Sequence, residues 1–190
     1  MKNNEFITGK VPITKEEVRA ISLNKLELKY AKTFIDVGAG TGSVSIEAAY
    51  TNPDLKVIAI ERNDIAIDLI NKNVEKFGLS NVEVIQAYAP IGLDEKADGI
   101  FLGGTGNNLE EIIKWSKDLL VPGGRLVANF ILIDNFYDTL DLLKKYNFEN
   151  LDVCQLSINK LEKLGGRDYF KPHNPIYIIS CEKGVEDEHE

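Results

Sequence analysis

Apolar residues in this chain fall into short unbroken runs separated by stretches in which they recur every three or four positions. The run at Phe34–Val37 reads as a strand buried on both faces, and Lys56–Ile60, Val82–Ile85, Asp98–Leu102 and Arg125–Leu132 read as the strands that follow it. Helical spacing lies between them. One helix starts at Ser43 and stops near Asn52-Pro53; a second spans Asp64–Phe77, with Gly78 as its left-handed cap. Two more cover Asn107–Leu119 and Asp134–Tyr146, and Pro122-Gly123-Gly124 reads as a turn before the fifth strand. Ahead of all these, Pro12 to Arg19 opens a helix whose apolar face begins with Val18, Ile21 and Leu26; Thr14 and Glu17 have capping-box spacing. Strands at Glu149–Leu161 and Pro175–Glu182, joined through a Gly165-Gly166 loop, complete the pattern. Strand–helix alternation predicts an α/β fold: a doubly wound, seven-stranded sheet with a parallel core, in which one of the last two strands runs antiparallel. Residues 1–184 are expected to form a single domain.

The junction of the first strand and its helix is the most informative stretch: Asp36-Val-Gly-Ala-Gly-Thr-Gly-Ser43. Strand, glycine turn and helix open a Rossmann-like nucleotide-binding unit, and glycine lets the backbone approach a ligand closely. The spacing departs from the dinucleotide fingerprint G-x-G-x-x-G, whose third glycine would fall at Ser43. The acidic residue at the strand end suits a ligand carrying ribose hydroxyls and an ammonium group better than one carrying phosphates. Glu61 closes the second strand 23 positions past Gly38, where a ribose-binding carboxylate is expected.

Composition narrows the setting. The chain has 190 residues, 44% apolar and 27% charged, as in soluble globular proteins. No apolar run approaches the roughly 20 residues of a membrane span, and the N-terminal residues show no signal-peptide pattern. Cys154 and Cys181 lack metal-ligand spacing and read as reduced thiols of a cytoplasmic protein. A formal charge of −8 argues against a general nucleic-acid surface. Four of the negatives, Glu186, Asp187, Glu188 and Glu190, belong to an acidic tail over 185–190 that is expected to be disordered.

The D-x-G-x-G-x-G pattern resembles the first motif of the class I S-adenosylmethionine methyltransferases. Further stretches sharpen the resemblance: Thr14-Lys-Glu-Glu-Val-Arg19, Ser45-Ile-Glu-Ala-Ala49, Ala87-Tyr-Ala-Pro90, Phe101-Leu-Gly-Gly104 and Asn174-Pro175. In this order they resemble the decarboxylating precorrin methyltransferases of cobalamin biosynthesis, of the cobalt-precorrin-6B and precorrin-8 carbon-15 type. The likeness runs from Lys10 to Glu182. It implies S-adenosylmethionine as methyl donor and a corrin-ring tetrapyrrole as acceptor. It further implies methylation at carbon 15 with loss of carbon dioxide from the ring C acetate, a homotetramer, and a separate enzyme for carbon 5. By the same resemblance Thr14, Asp36, Gly38, Ala39, Gly40, Thr41, Gly42, Glu61 and Ala89 line the donor site. Tyr88 departs from the family pattern, which often places an acidic residue there; its ring either borders the adenine or packs on the following helix.

Gly103 and Gly104 leave room for a bulky acceptor and offer backbone N–H donors, or else serve only to turn the chain into the next helix. A carboxylate-rich acceptor calls for a local positive field, for which Lys10, Lys15, Arg19, Arg167 and Lys171 are candidates, with His173 nearby in sequence. The competing reading leaves each as a solvated surface charge. Closure of the Lys10–Arg19 and Arg167–His173 segments over the cleft is expected. No residue announces itself as the catalyst, and no metal is called for. Two other functions compete: an RNA methyltransferase, and a non-catalytic SAM-binding subunit.

Overall fold

The computed structural model describes residues 1–185, so the acidic tail, apart from Val185, lies outside the described residues. Its centre is a seven-stranded sheet in the order β3-β2-β1-β4-β5-β9-β6. The strands are β1 (Thr33–Val37), β2 (Lys56–Glu61), β3 (Val82–Gln86), β4 (Ala97–Leu102), β5 (Leu120–Phe130), β6 (Phe148–Leu156) and β9 (Ile176–Lys183); β7 (Asn159–Leu164) and β8 (Arg167–Pro172) form a separate two-stranded hairpin. The first five run parallel, and β9 is antiparallel to both β5 and β6.

Burial explains the unbroken apolar runs. Phe34, Val57, Phe101 and Val127 point to one face, against α1 (Glu16–Leu26) and α2 (Ser43–Thr51). Their sequence neighbours Ile35, Ile58, Leu102 and Ala128 point to the other, where α4 (Leu109–Leu119) and α5 (Ile133–Lys145) pack. With side chains alternating across the sheet and both faces covered, successive positions in the middle of β1, β2, β4 and β5 are apolar. Helix α3 (Asp64–Lys76) is capped by the Asn63 side chain, which accepts from the Ala66 N–H at 3.1 Å. Gly78 ends it at φ 62°.

Three expectations need correction. Helix α1 begins at Glu16 with Lys15 at its N-cap and no side-chain cap; Glu17, the supposed partner of Thr14, instead lies 2.8 Å from Lys160. The Pro122–Gly124 turn is absorbed into β5, where a bulge shifts the pairing with β4 between Ala97 and Gly99. The segment Arg167–His173 is no loop. Gly165 and Gly166, at φ 57° and 78°, form the two-residue turn of the β7–β8 hairpin, since paired positive φ values suit the twist of antiparallel strands.

Candidate functional site

The parallel strands β1, β2, β4 and β5 end on one side of the sheet, and three cavities lie there in a row. The first, about 220 Å³, is bounded by Glu61, Arg62, Tyr88, Ala89, Thr105 and Ile112. The second, about 250 Å³, lies over the glycine turn among Thr14, Lys15, Asp36, Gly40, Thr41 and Phe101. Gly38 lines both. The third, about 320 Å³, lies beyond Gly103 and is bordered by Thr105, Asn129, Ile131, Leu132 and Asn135.

Gly38 cannot be any other residue without moving the chain. It sits at φ 72°, and a Cβ there would meet the backbone N and O of Gly104 at 2.7 Å. That close approach joins the β1–α2 and β4–α4 loops. Gly103 N–H and Gly104 N–H both donate to the Val37 carbonyl, at 2.9 and 3.3 Å. The pair is therefore not the source of free backbone donors expected from the sequence; its amide protons are already committed.

Glu61 is held by backbone alone. Its Oε1 accepts from the Arg62 and Asn63 N–H groups and its Oε2 from Gly40 N–H, each at 2.9 Å. This fixes the carboxylate at the rim of the first cavity with one lone pair, on Oε2, left for a diol hydroxyl. Tyr88 forms the same cavity's outer wall. Its ring lies under the Arg62 guanidinium at 5.1 Å, and its hydroxyl accepts from Asn107 N–H at 3.2 Å. It braces the loop before α4 rather than packing on the helix.

Asp36 is fully buried. Its Oδ2 accepts from the Ser45 N–H at 3.1 Å and the Ser45 hydroxyl at 2.5 Å, while Oδ1 has no partner. Burial pushes its carboxyl up to about 6 against the opposing Ser45 bonds, and the Glu61 charge adds to the rise. An unpaired buried carboxylate oxygen beside a cavity fits a ligand that brings a cation with it. A diol-bearing ring could be held at Glu61, Tyr88 and Ala89, and a cationic group at Asp36 and the turn Gly38–Gly42.

The segment carrying Thr14 passes over the second cavity, as a lid would, but Arg19 does not face the cleft. Its side chain is 0% exposed, pairs with Glu47 at 2.5 Å, and donates to the carbonyls of Met1 and Thr14 and to Asn3 Oδ1. It fastens the N-terminal segment from behind. Asn73 on α3 does the same at Ile7, accepting from its N–H and donating to its carbonyl, and also donates to the Thr41 carbonyl of the glycine turn. Of the other candidate cations, Lys15 lines the second cavity; Lys171 pairs with Glu162 at 3.1 Å, and Arg167 stands beside the hairpin turn. Lys10 and Arg167 border none of the three cavities. Thr105 and Asn129 fall in Phe101–Thr105 and Asn129–Ile133, stretches beyond the carboxyl ends of strands where the sequence pattern places a ligand cleft; Arg62, one residue past Glu61, is a cavity residue that this pattern leaves out.

The strand order, the glycine turn between β1 and α2, and carboxylates ending β1 and β2 together define a class I S-adenosylmethionine-dependent methyltransferase fold. Residues 5–183 match the family model described as a precorrin methyltransferase domain, and the chain belongs to that family. It is 47% identical over 184 residues, 96% of each chain, to the Salmonella typhimurium protein named cobalt-precorrin-6B C(15)-methyltransferase (decarboxylating). Among solved structures, it superposes on the Geobacter metallireducens precorrin-6y C5,15-methyltransferase with a TM-score of 0.90, at 37% identity over 96% of both chains. The Methanobacterium thermoautotrophicum structure titled precorrin 8w decarboxylase gives 0.86 at 31% identity, over 97% of this chain and 100% of that one. The tetrapyrrole reading is supported and the RNA reading is not.

Proposed function

We propose that this chain transfers the methyl group of S-adenosylmethionine to carbon 15 of a cobalt-precorrin and releases the ring C acetate carboxyl as carbon dioxide. The observation that carries this reading is 47% identity along 96% of a relative bearing that name. When bound, S-adenosylmethionine supplies an electrophilic methyl group on a sulfonium. Glu61 would hold the ribose, Ala89 and Tyr88 the adenine edge, and Asp36, Thr14 and Gly38–Gly42 the amino-acid end. Carbon 15 forms the new bond as the sulfur keeps the old electron pair. In the decarboxylation, the C–C electron pair stays with the arm, which takes up a proton and becomes a methyl group.

Positioning in a dry cleft is the main contribution the protein can make to such a displacement, so the scarcity of histidine is no obstacle. The catalytic unit in this reading is the domain 1–184, working in the cytoplasm, with carbon 5 methylated by a separate enzyme. Self-association, as a tetramer by family likeness, is supported by the hairpin. Leu161 lies opposite Phe170, both exposed, beside the opposed pair Lys163 and Asp168, so the face carries equal opposite charges and can meet a copy of itself. Among the described residues, no helix is long and apolar enough to cross a membrane.

The test is mass spectrometry of the purified chain incubated with cobalt-precorrin-6B and S-adenosylmethionine. Gain of one methyl and loss of one carboxyl is expected and excludes the non-catalytic subunit alternative; an unchanged substrate mass would overturn the reading.

A further inference from the structure

The second and third cavities share four residues: Gly103, Asn129, Phe130 and Ile131. Only Asn129 among these has a polar side chain. It is the penultimate residue of β5, at the place where the donor's amino-acid half and the larger cavity beyond meet. We infer that Asn129 positions the acceptor beside the methyl donor, by donating an amide N–H to a carboxylate oxygen on a side arm of the tetrapyrrole. The inference rests on the tetrapyrrole reading above.

Proton counting shows how the amide is aimed. The Ser22 hydroxyl, fully buried on α1, donates its one proton to the Val18 carbonyl at 2.8 Å. Its oxygen is then left to accept, and Asn129 Nδ2 lies 2.9 Å away. Asn129 Oδ1 also comes within 3.3 Å of the same hydroxyl, but that longer contact would need the proton Val18 already takes. Ser22 therefore orients the amide, and the second Nδ2 hydrogen has no protein partner. A half-buried amide with a spare donor, held by a buried hydroxyl, is a preorganised contact.

The surroundings favour a neutral donor for this task. Both amide protons of Gly103-Gly104 are spent on Val37. Among the described residues Lys15 is the only cation bordering the two cavities, and it borders just the second. A carboxylate arm entering the third cavity thus finds amides and a threonine hydroxyl. A fixed neutral donor orients a carboxylate without stabilising its charge as strongly as a cation would. That suits an acceptor one of whose carboxylates must leave as carbon dioxide.

Steady-state kinetics of wild type, Asn129→Asp and Asn129→Ala, varying cobalt-precorrin-6B and S-adenosylmethionine separately, tests the assignment. Calorimetry with S-adenosylhomocysteine and thermal melting complete the measurement. Asn129→Asp removes the donor and sets a like charge against the arm, so the acceptor KM should rise about tenfold or more. S-adenosylhomocysteine affinity should stay within about twofold. Asn129→Ala should move the acceptor KM the same way by less, and supplies the answer should the aspartate variant not fold. Ser22→Ala, which frees the amide, should raise acceptor KM with donor affinity unchanged. Acceptor KM within about twofold of wild type in both Asn129 variants overturns the inference, as does donor affinity falling in parallel. Either result with an active wild type leaves the substrate reading standing; wild type unable to convert cobalt-precorrin-6B sinks the substrate reading and this inference together.

Discussion

Glu61 Oε2 accepts the Gly40 N–H at 2.9 Å, so the carboxylate closing β2 and the glycine turn following β1 hold each other in place. The same side chain takes the Arg62 and Asn63 N–H groups on its other oxygen. In Glu61→Gln one of these donors must face an NH₂ group, and the lost charge-assisted bonds are each worth about 1.5–3 kcal/mol. S-adenosylhomocysteine affinity, measured by calorimetry, should fall about 10- to 100-fold.

Asp36 should make donor binding pH-dependent. Its carboxyl sits near 6 in the folded protein against 3.8 ordinarily, so the fold favours the protonated form. The stability this contributes is fully present below 3.8 and is lost as pH rises through about 6. Asp36→Asn should therefore stabilise the unliganded protein at pH 7.5 by up to about 3 kcal/mol and change little at pH 4, as read by urea unfolding. A ligand ammonium next to Oδ1 reverses the preference. Wild-type affinity for S-adenosylhomocysteine should rise from pH 5 to 7, where the amino group stays protonated, and the asparagine variant should be flat across that range.

Gly38→Ala forces a Cβ into the Gly104 backbone at 2.7 Å from a left-handed conformation. The left-handed penalty and the overpacking together should cost on the order of 2–4 kcal/mol in chemical denaturation. Donor binding should be lost with it, because the displaced seam borders the first and second cavities.

Arg19→Lys keeps the charge and discards the fork that reaches Glu47, Asn3 and two carbonyls. Breaking up a buried ion pair costs about 3–5 kcal/mol at the upper end, and the lysine should recover part of that. Thr14, no longer held through its carbonyl, should show faster amide exchange together with its neighbours. Unchanged exchange over Pro12–Lys15 would count against a fastening role.

On the hairpin, Phe170→Asp should reduce the particle mass seen by light scattering while leaving the melting profile of the domain near that of wild type. An unchanged mass would remove this face from any subunit contact.

The parallel core was legible because its strands are built on short apolar runs that give way to a change of pattern; Asp36 stands one residue before the end of β1 and Glu61 closes β2. The glycine turn was legible for the same reason, since its spacing excluded the dinucleotide form. The hairpin was missed although Gly165-Gly166 is a strong turn signal, because both faces of Lys160–Leu164 are largely exposed and no one-sided apolar stripe marks it. Arg19 was misread because charge predicts exposure, and nothing local in Glu-Val-Arg-Ala foretells four partners drawn from Met1, Asn3, Thr14 and Glu47. Asn129 was legible as part of the cleft-forming stretch Asn129–Ile133, but its role was not, because one polar residue ending an apolar strand carries no spacing to measure.

Val37 ends β1 with a carbonyl that receives two consecutive amides, from Gly103 and Gly104. The floor of the first two cavities and the wall of the third are thereby tied together, so a movement closing over them would come from the opposite bank, from Pro12–Lys15 or from Ile131–Asn135.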